Sequence, residues 1–322
     1  MFERIDSLPD VLTQVLGAVH LGSSLSARTE LGAPWATHAG GVGQRAGFHI
    51  VVEGRCWARA DGSSEQVELG PGDIVLFPHG TGHTLCDHPA TPPIEFEPLV
   101  ASIRPGESRA LPTGGSGPST VLLCGSYSLS ADGSHPLLRG FPHLLHVPAE
   151  GGQGRALRAT VDLLAEEALH PGSGGGLVVG RLVDLVFVYA LRDWLAHHAD
   201  ARHRSWFGAL QNPLVGPAIH AIHGGPAFPW TVAALAQLCG LSRAAFSRRF
   251  HQAVGEPPLT YVARWRMTVA AELLEEGTRV ADVAQQVGYE NEFAFAKAFK
   301  RVRGRAPGQV RRAAHFKALP GA

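Results

Sequence analysis

Leu235-Ala-Gln-Leu-Cys-Gly240 and Val283-Ala-Gln-Gln-Val-Gly288 are one six-residue pattern written twice, 48 residues apart. Each glycine is followed by two phenylalanines one helical turn apart: Phe246 and Phe250, then Phe295 and Phe299. The aromatic offset is 49, so the second turn carries one extra residue. A short helix, a glycine turn and a helix with an aromatic inner stripe predict a helix-turn-helix unit, here duplicated. Ala236 and Ala284 suit the point where the two helices cross too closely for a larger side chain. Ser242 is a good N-cap for the first recognition helix, and Asn291 can cap the second.

The charge distribution separates this region from the rest. The chain has 322 residues and no formal net charge, but residues 206–322 carry +7 and residues 1–205 carry −7. A basic module on an acidic body points to a polyanion partner. A plain helical bundle, duplicated for packing alone, would need no such charge. Arg243, Arg248 and Arg249 lie in the first recognition segment, and Lys297, Lys300, Arg301 and Arg303 in the second. Ser247 and Arg248 fall between the two inward phenylalanines, so they project outward, and Lys297 follows Phe295 as Arg248 follows Phe246. Arg or Lys there can read guanine edges or grip phosphate. Leu259 to Leu274 reads as a connecting helix of about 16 residues, roughly 24 Å long. That length can hold two recognition helices near the separation of successive major grooves, about 34 Å.

These motifs, with Val254-Gly-Glu-Pro-Pro, Arg264-Trp-Arg-Met and Val287-Gly-Tyr-Glu-Asn-Glu-Phe-Ala-Phe-Ala-Lys-Ala-Phe-Lys-Arg, resemble the AraC/XylS transcription regulators over residues 206–314. The resemblance implies a domain that contacts two adjacent major grooves of double-stranded promoter DNA, and a working relation with RNA polymerase. Its DNA-facing residues would be Arg243, Ala244, Ser247, Arg248, Asn291, Glu292, Lys297 and Lys300. Two departures stand out. Phe293 is bulky where the family usually has a small residue. Gly304-Arg-Ala-Pro-Gly-Gln-Val-Arg replaces the usual closing motif, which ends in an aromatic residue and Arg, so the last helix is expected to pack less firmly.

The N-terminal half reads differently. From about residue 25 to 105, short β-type runs alternate with Gly/Pro turns, as in a small barrel or sandwich. Phe48-His-Ile-Val-Val, Gly54 and Cys56-Trp-Ala-Arg-Ala read as a hairpin, and Thr120–Cys124 and His143–Val147 as further strands. Residues 111–118 read as a surface loop. Gly72-Asp-Ile-Val-Leu-Phe-Pro-His-Gly-Thr-Gly-His83 resembles the second cupin motif at every specified position, with Asp87 where Asn is usual. The first cupin motif is partial: His49 and Glu53 keep their spacing, but Gly47 replaces the first histidine. Residues 1–150 therefore resemble the cupin-type sensor domain of some AraC-like regulators.

Three readings of the histidines stand side by side. His49 and His83 line a pocket without metal. Alternatively they hold zinc or another divalent ion, with Glu53, His79 or Cys86. In the third, Cys86 in His83-Thr-Leu-Cys-Asp-His88 is a sensing thiol, favoured as thiolate by a histidine and opposed by Asp87. Cys56 and Cys239 read as core; Cys124 could go either way.

Between the two domains, Ala156–Leu169 has helical periodicity, and a second helix from about Leu177 to His197 is apolar over more than half its circumference. Such a helix is either buried in its own chain or an oligomer seam. A helical hairpin between two domains points to a homodimer. The longest apolar stretch, Leu177–Leu191, is too short and too charged to span a bilayer. The opening Met-Phe-Glu-Arg-Ile-Asp lacks the features of a signal peptide, and four cysteines without a CxxC make no disulfide framework, so a cytoplasmic location is expected.

The expected architecture is thus multidomain α+β. A cupin-like sensor barrel (1–150) is followed by a helical, dimerising linker (151–205) and an all-α domain with two helix-turn-helix motifs (206–322). The expected function is transcription regulation, as an activator, under a small-molecule, metal or oxidant effector sensed at His49, His83 and Cys86. Cupins also serve as dioxygenases, isomerases and epimerases, so an enzyme is the alternative, and a ligand-free architectural DNA binder a third.

Overall fold

The structure, a computed structural model, describes residues 11–18, 22–41, 45–96, 108–110, 114–128, 141–149, 154–197 and 206–317. The chain divides into two compact units. One holds the described residues of Leu21–Gly133 and Phe141–Ala201. The other holds those of Met1–His20 and Arg202–Ala322.

The first unit is two β-sheets with a helical hairpin on one of them. Its strands are β1 (Gly22–Gly32), β2 (Ala36–Ala39), β3 (Arg45–Glu53), β4 (Cys56–Ala60), β5 (Val67–Leu69), β6 (Ile74–Phe77), β7 (His83–Cys86), β8 (Ile94–Glu95), β9 (Ser108–Ala110), β10 (Ser119–Ser128) and β11 (Leu145–Val147). One sheet has the order β11-β6-β3-β10-β1-β9, the other β5-β4-β7-β2-β8. Their inner faces share one core: Leu31, Val51, Val75, Phe77, Leu122 and Cys124 from the first meet Cys56, Ala58, Ala60, Leu69 and Leu85 from the second. The two hydrogen-bonded ladders do not close on each other, so the expected barrel is an open sandwich among the described residues.

The expected hairpin around Gly54 is not one. β3 pairs with β10 and β6, whereas β4 pairs with β5 and β7 in the opposite sheet. Gly54 lies at this corner with φ +79°, and a Cβ there would collide with the Ser119 carbonyl. A local turn signal is the same whether the chain folds back beside itself or crosses to another sheet; packing of the two inner faces decides.

Helices α2 (Gly154–Leu169) and α3 (Gly175–His197) pack on each other, and α3 lies on β1 and β11. Tyr127 OH donates to the Val183 carbonyl at 3.0 Å, and its ring meets Phe48 and Phe187. Part of the apolar circumference of α3 is thereby buried: Val183, Val186, Phe187, Ala190 and Trp194 face inward. Residues 150–153 and 198–205, where the domain boundaries were expected, lie outside the described residues.

The second unit is all-helical. It comprises α1 (Val11–Ala18), α4 (Trp206–Gln211), α5 (Gly216–Gly224), α6 (Val232–Leu238), α7 (Arg243–Val254), α8 (Pro258–Glu275), α9 (Val280–Gln286), α10 (Glu292–Arg303) and α11 (Pro307–Lys317). α8 is the connecting helix; its 18 residues give about 27 Å. Helices α6–α7 and α9–α10 are the two helix-turn-helix pairs. Both turns close identically: Leu241 N donates to Ala236 O, and Tyr289 N to Ala284 O, each with a left-handed glycine, Gly240 or Gly288, just before. The extra residue in the second turn falls after this closure, before the cap. Ala236 and Ala284 are buried, as their place at the crossing requires. α11 packs on α8 and α10, with Val310 against the second core.

Arg266 on α8 ties the segment before the first helix-turn-helix pair to the turn of the second. Its guanidinium donates to the carbonyls of Pro226 (2.7 Å), Phe228 (2.8 Å) and Gly288 (3.5 Å), and lies 5.8 Å from the centre of the Tyr289 ring. The two turn glycines consequently differ. Gly240 has φ +63° and open space around it, whereas Gly288 has φ +77° and a Cβ there would strike the Ala227 carbonyl. Gly240→Ala is expected to cost about 1–2 kcal/mol, the left-handed penalty alone. Gly288→Ala should cost more, because the 226–228 segment must also move. Urea unfolding of both variants measures this; equal losses would show that the Ala227 approach constrains nothing.

Candidate DNA interface and buried histidine cluster

The inner faces of the recognition helices hold them in place. Phe246 and Phe250 on α7 are fully buried with ring centres 5.4 Å apart; Phe295 and Phe299 on α10 repeat this at 5.6 Å. The N-caps form as read: Ser242 Oγ accepts from Ala245 N (3.3 Å), and Asn291 Oδ1 from Ala294 N (2.8 Å). With the phenylalanines turned inward, the 3.6-residue repeat puts Arg243, Ala244 and Arg248 of α7 in solvent, with Ser247 half-buried. Asn291, Glu292, Lys297 and Lys300 of α10 are exposed in the same way. All eight expected DNA-facing residues lie on these two helices or their N-caps. Arg264, next in the motif, faces inward instead: it pairs with buried Glu256, Nε to Oε1 at 3.0 Å, beneath the Tyr261 ring. Tyr261 in turn joins Trp206 and His223 by hydrogen bonds of 2.8 and 2.6 Å, and burial pushes the His223 pKa down to about 3.

In the first unit, the core holds a single-file polar chain. His49 on β3 stands beside Cys124 on β10, with Nδ1 3.1 Å from Sγ. His49 Nε2 is 2.7 Å from His83 Nε2, and His83 Nδ1 is 3.3 Å from the Thr81 carbonyl. One assignment of protons satisfies every link. The Cys124 thiol donates to His49 Nδ1, His49 Nε2–H to His83 Nε2, and His83 Nδ1–H to Thr81 O. Every group in it is neutral. Burial, aided by the neighbouring His83, holds the His49 pKa well below its usual value. Burial also takes His83 down to about 4 and Cys124 up to about 12. The His83 ring stacks on Phe77 at 3.8 Å.

This donor set does not fit a divalent metal as arranged. Two zinc–nitrogen bonds at a tetrahedral angle would set the nitrogens about 3.3 Å apart, farther than the His49–His83 contact. Gly47, in place of the first motif histidine, faces the same ring, and a Cβ there would lie 3.3 Å from His83 Cε1. His79 is engaged with the Phe141 carbonyl at 2.9 Å, and Glu53 is exposed at the end of β3. Among the described residues no three His, Cys, Asp or Glu side chains are grouped to hold a metal.

Cys86 does not join the cluster. Along β7 the side chains alternate, so His83 and Leu85 face the core while Thr84 and Cys86 face the other side of the sheet with Trp57. Burial and then Asp87 raise its thiol pKa, which opposes the thiolate that a sensing role needs. The partner that sequence reasoning left open is Cys124. Only the β3–β10 register brings it to His49, and nothing local in the chain signals that.

The cupin family model matches residues 10–196, and a helix-turn-helix domain model matches residues 235–313. An AraC-like transcription regulator of Streptomyces antibioticus is 33% identical over 96% of this chain and 99% of its own. The regulator AlkR of Acinetobacter baylyi is 29% identical over 94% and 99%. Among solved structures, the DNA-binding domain of AdpA in complex with a target DNA is 28% identical, covering 34% of this chain and 99% of that one at a TM-score of 0.31. Among the described residues, no helix is long and apolar enough to cross a membrane. A relative matched almost end to end, and family models for both halves, make this chain a member of the AraC-like family of DNA-binding transcription regulators, with a cupin domain at its N-terminal side.

Proposed function

We propose that the cupin unit perceives a signal through the His49–His83–Cys124 chain and that this controls how the helix-turn-helix pairs engage promoter DNA. The observation that carries the reading is the chain itself. In a sandwich core each link of this polar file depends on the next, because breaking one leaves a buried polar group unpaired, so a stimulus that breaks one link would favour a different arrangement. The cavity beside it is about 10 Å³, the space of one water. The direct stimulus is therefore a small species rather than a metabolite. A second reading has its own observation. A groove of about 680 Å³ is lined by Pro34, Trp35, His88, Pro92 and Ile94, and the buried Trp35 indole N–H has no hydrogen-bond partner among the described residues. That volume suits a drug-sized effector. In both readings the cupin unit senses and performs no catalysis, and RNA polymerase is the downstream partner.

His49→Ala and His83→Ala are expected to remove the response in a promoter reporter, so that promoter affinity no longer changes on stimulation. Cys86→Ser, on the opposite face, should respond like wild type. A normal response in both histidine variants would move the input site to the Trp35 groove.

At the DNA end, Arg248→Ala and Lys297→Ala are each expected to weaken specific binding by about 1–3 kcal/mol if the side chain makes a bidentate base contact. If it grips a phosphate, binding to all sequences should weaken alike, and the salt slope should fall by about one. Titrations at several salt concentrations distinguish the two. Affinities equal to wild type would show that these helices do not face DNA.

Dimerisation is assigned to α2 and α3. After α3 has packed on its sheet, Leu177 (70% exposed), Leu163 (60%), Val178, Leu185 and Leu169 still stand in solvent. A second copy burying these side chains would gain about 1.5–3 kcal/mol for each one fully covered. Leu163→Glu with Leu177→Glu should give a monomer by analytical ultracentrifugation; an unchanged dimer would place the interface elsewhere.

A further inference from the structure

Phe293 is the most exposed large apolar side chain among the described residues, at 81%. It is the second residue of α10, just after the Asn291 cap and Glu292, while the other two phenylalanines of the helix are fully buried. It therefore contributes nothing to the core that Phe295 and Phe299 build. Through the 49-residue offset it occupies the place that exposed Ala244 holds on α7. Lys297 and Lys300 follow at i+4 and i+7, so an apolar tip and two cations share one face of the helix. That combination suits an anionic surface with apolar points. A protein groove lined only by apolar side chains would strand both ammonium groups.

The first residues of a recognition helix are those that reach base edges. A phenyl ring has no donor or acceptor, and the apolar feature of a base edge in the major groove is the thymine C5-methyl group. We propose that Phe293 contacts a thymine methyl in the half-site read by α10, and so sets base preference there. The short side chain of Ala244 leaves the α7 half-site without the same reach. This rests on the placement of α10 in a major groove.

The test uses the full-length chain and a duplex selected by it from a randomised pool. Each thymine in the α10 half-site is replaced in turn by deoxyuridine, which keeps the base pairing and removes only the methyl group. One replacement is expected to weaken wild-type binding about threefold to fivefold, the value of one buried methyl-sized group. Phe293→Ala should weaken binding to the thymine duplex by a similar factor and be indifferent to that replacement, while Phe293→Leu keeps part of the sensitivity. Thermal unfolding of both variants should match wild type, because the ring is mostly in solvent. Wild-type binding that tolerates every deoxyuridine, or a Phe293→Ala variant as sensitive as wild type, overturns the contact while leaving DNA binding by α10 intact. Loss of half-site protection over α10 in the wild-type footprint would overturn both.

Discussion

The guanidinium of Arg266 spans three backbone carbonyls that belong to different parts of the helical unit: Pro226 and Phe228 before the first helix-turn-helix pair, and Gly288 in the turn of the second. Charge-assisted hydrogen bonds of this kind are stronger than neutral ones, and a planar fork is well suited to several acceptors at once. The consequence is mechanical. The 226–228 segment and the second turn are both held to α8, and that turn lies so near Ala227 that only glycine fits. Arg266 thus ties the placement of α10 to the segment that leads into α6.

The cupin unit works under a different constraint. Its core buries His49, His83 and Cys124 between the two sheets, where charge is costly. The three groups meet that cost by remaining neutral and sharing hydrogen bonds in a line that ends on the Thr81 carbonyl. A cupin site built for a metal needs ligands spread around an ion. Here the stacked His83 ring fills the space facing Gly47. The same substitution that removes a ligand also makes room for the direct histidine pair.

The two units therefore draw on opposite uses of side-chain chemistry. The cupin unit hides His49, His83 and Cys124 and keeps them neutral by burial. The helical unit buries Phe246, Phe250, Phe295 and Phe299 and leaves Arg248, Lys297 and Lys300 in water, where cations can attract phosphate and release its counterions. Phe293 departs from the other two phenylalanines of α10: it is left outside.

Much of the helical unit was legible in the chain because its signals are local. The duplicated Ala, Gly and Phe spacing depends on helix period and turn chemistry within about twenty residues, and the caps at Ser242 and Asn291 need only a neighbouring amide. The cupin motif around His83 was legible for the same reason. The sandwich was less so. Gly54 announces a turn, but only the facing sheets turn it into a crossing. Cys124 carries no local mark, and its meeting with His49 comes from the pairing of β3 with β10, 75 residues apart in sequence. Cys86 illustrates the converse: three residues from His83 in the chain, it is sent to the other face by strand alternation. The sequence by itself determined the family, the two helix-turn-helix units and the outward cations, all of which follow from short-range periodicity. The tertiary structure alone decided which cysteine joins the histidines, because strand register is a property of paired chains and not of either strand.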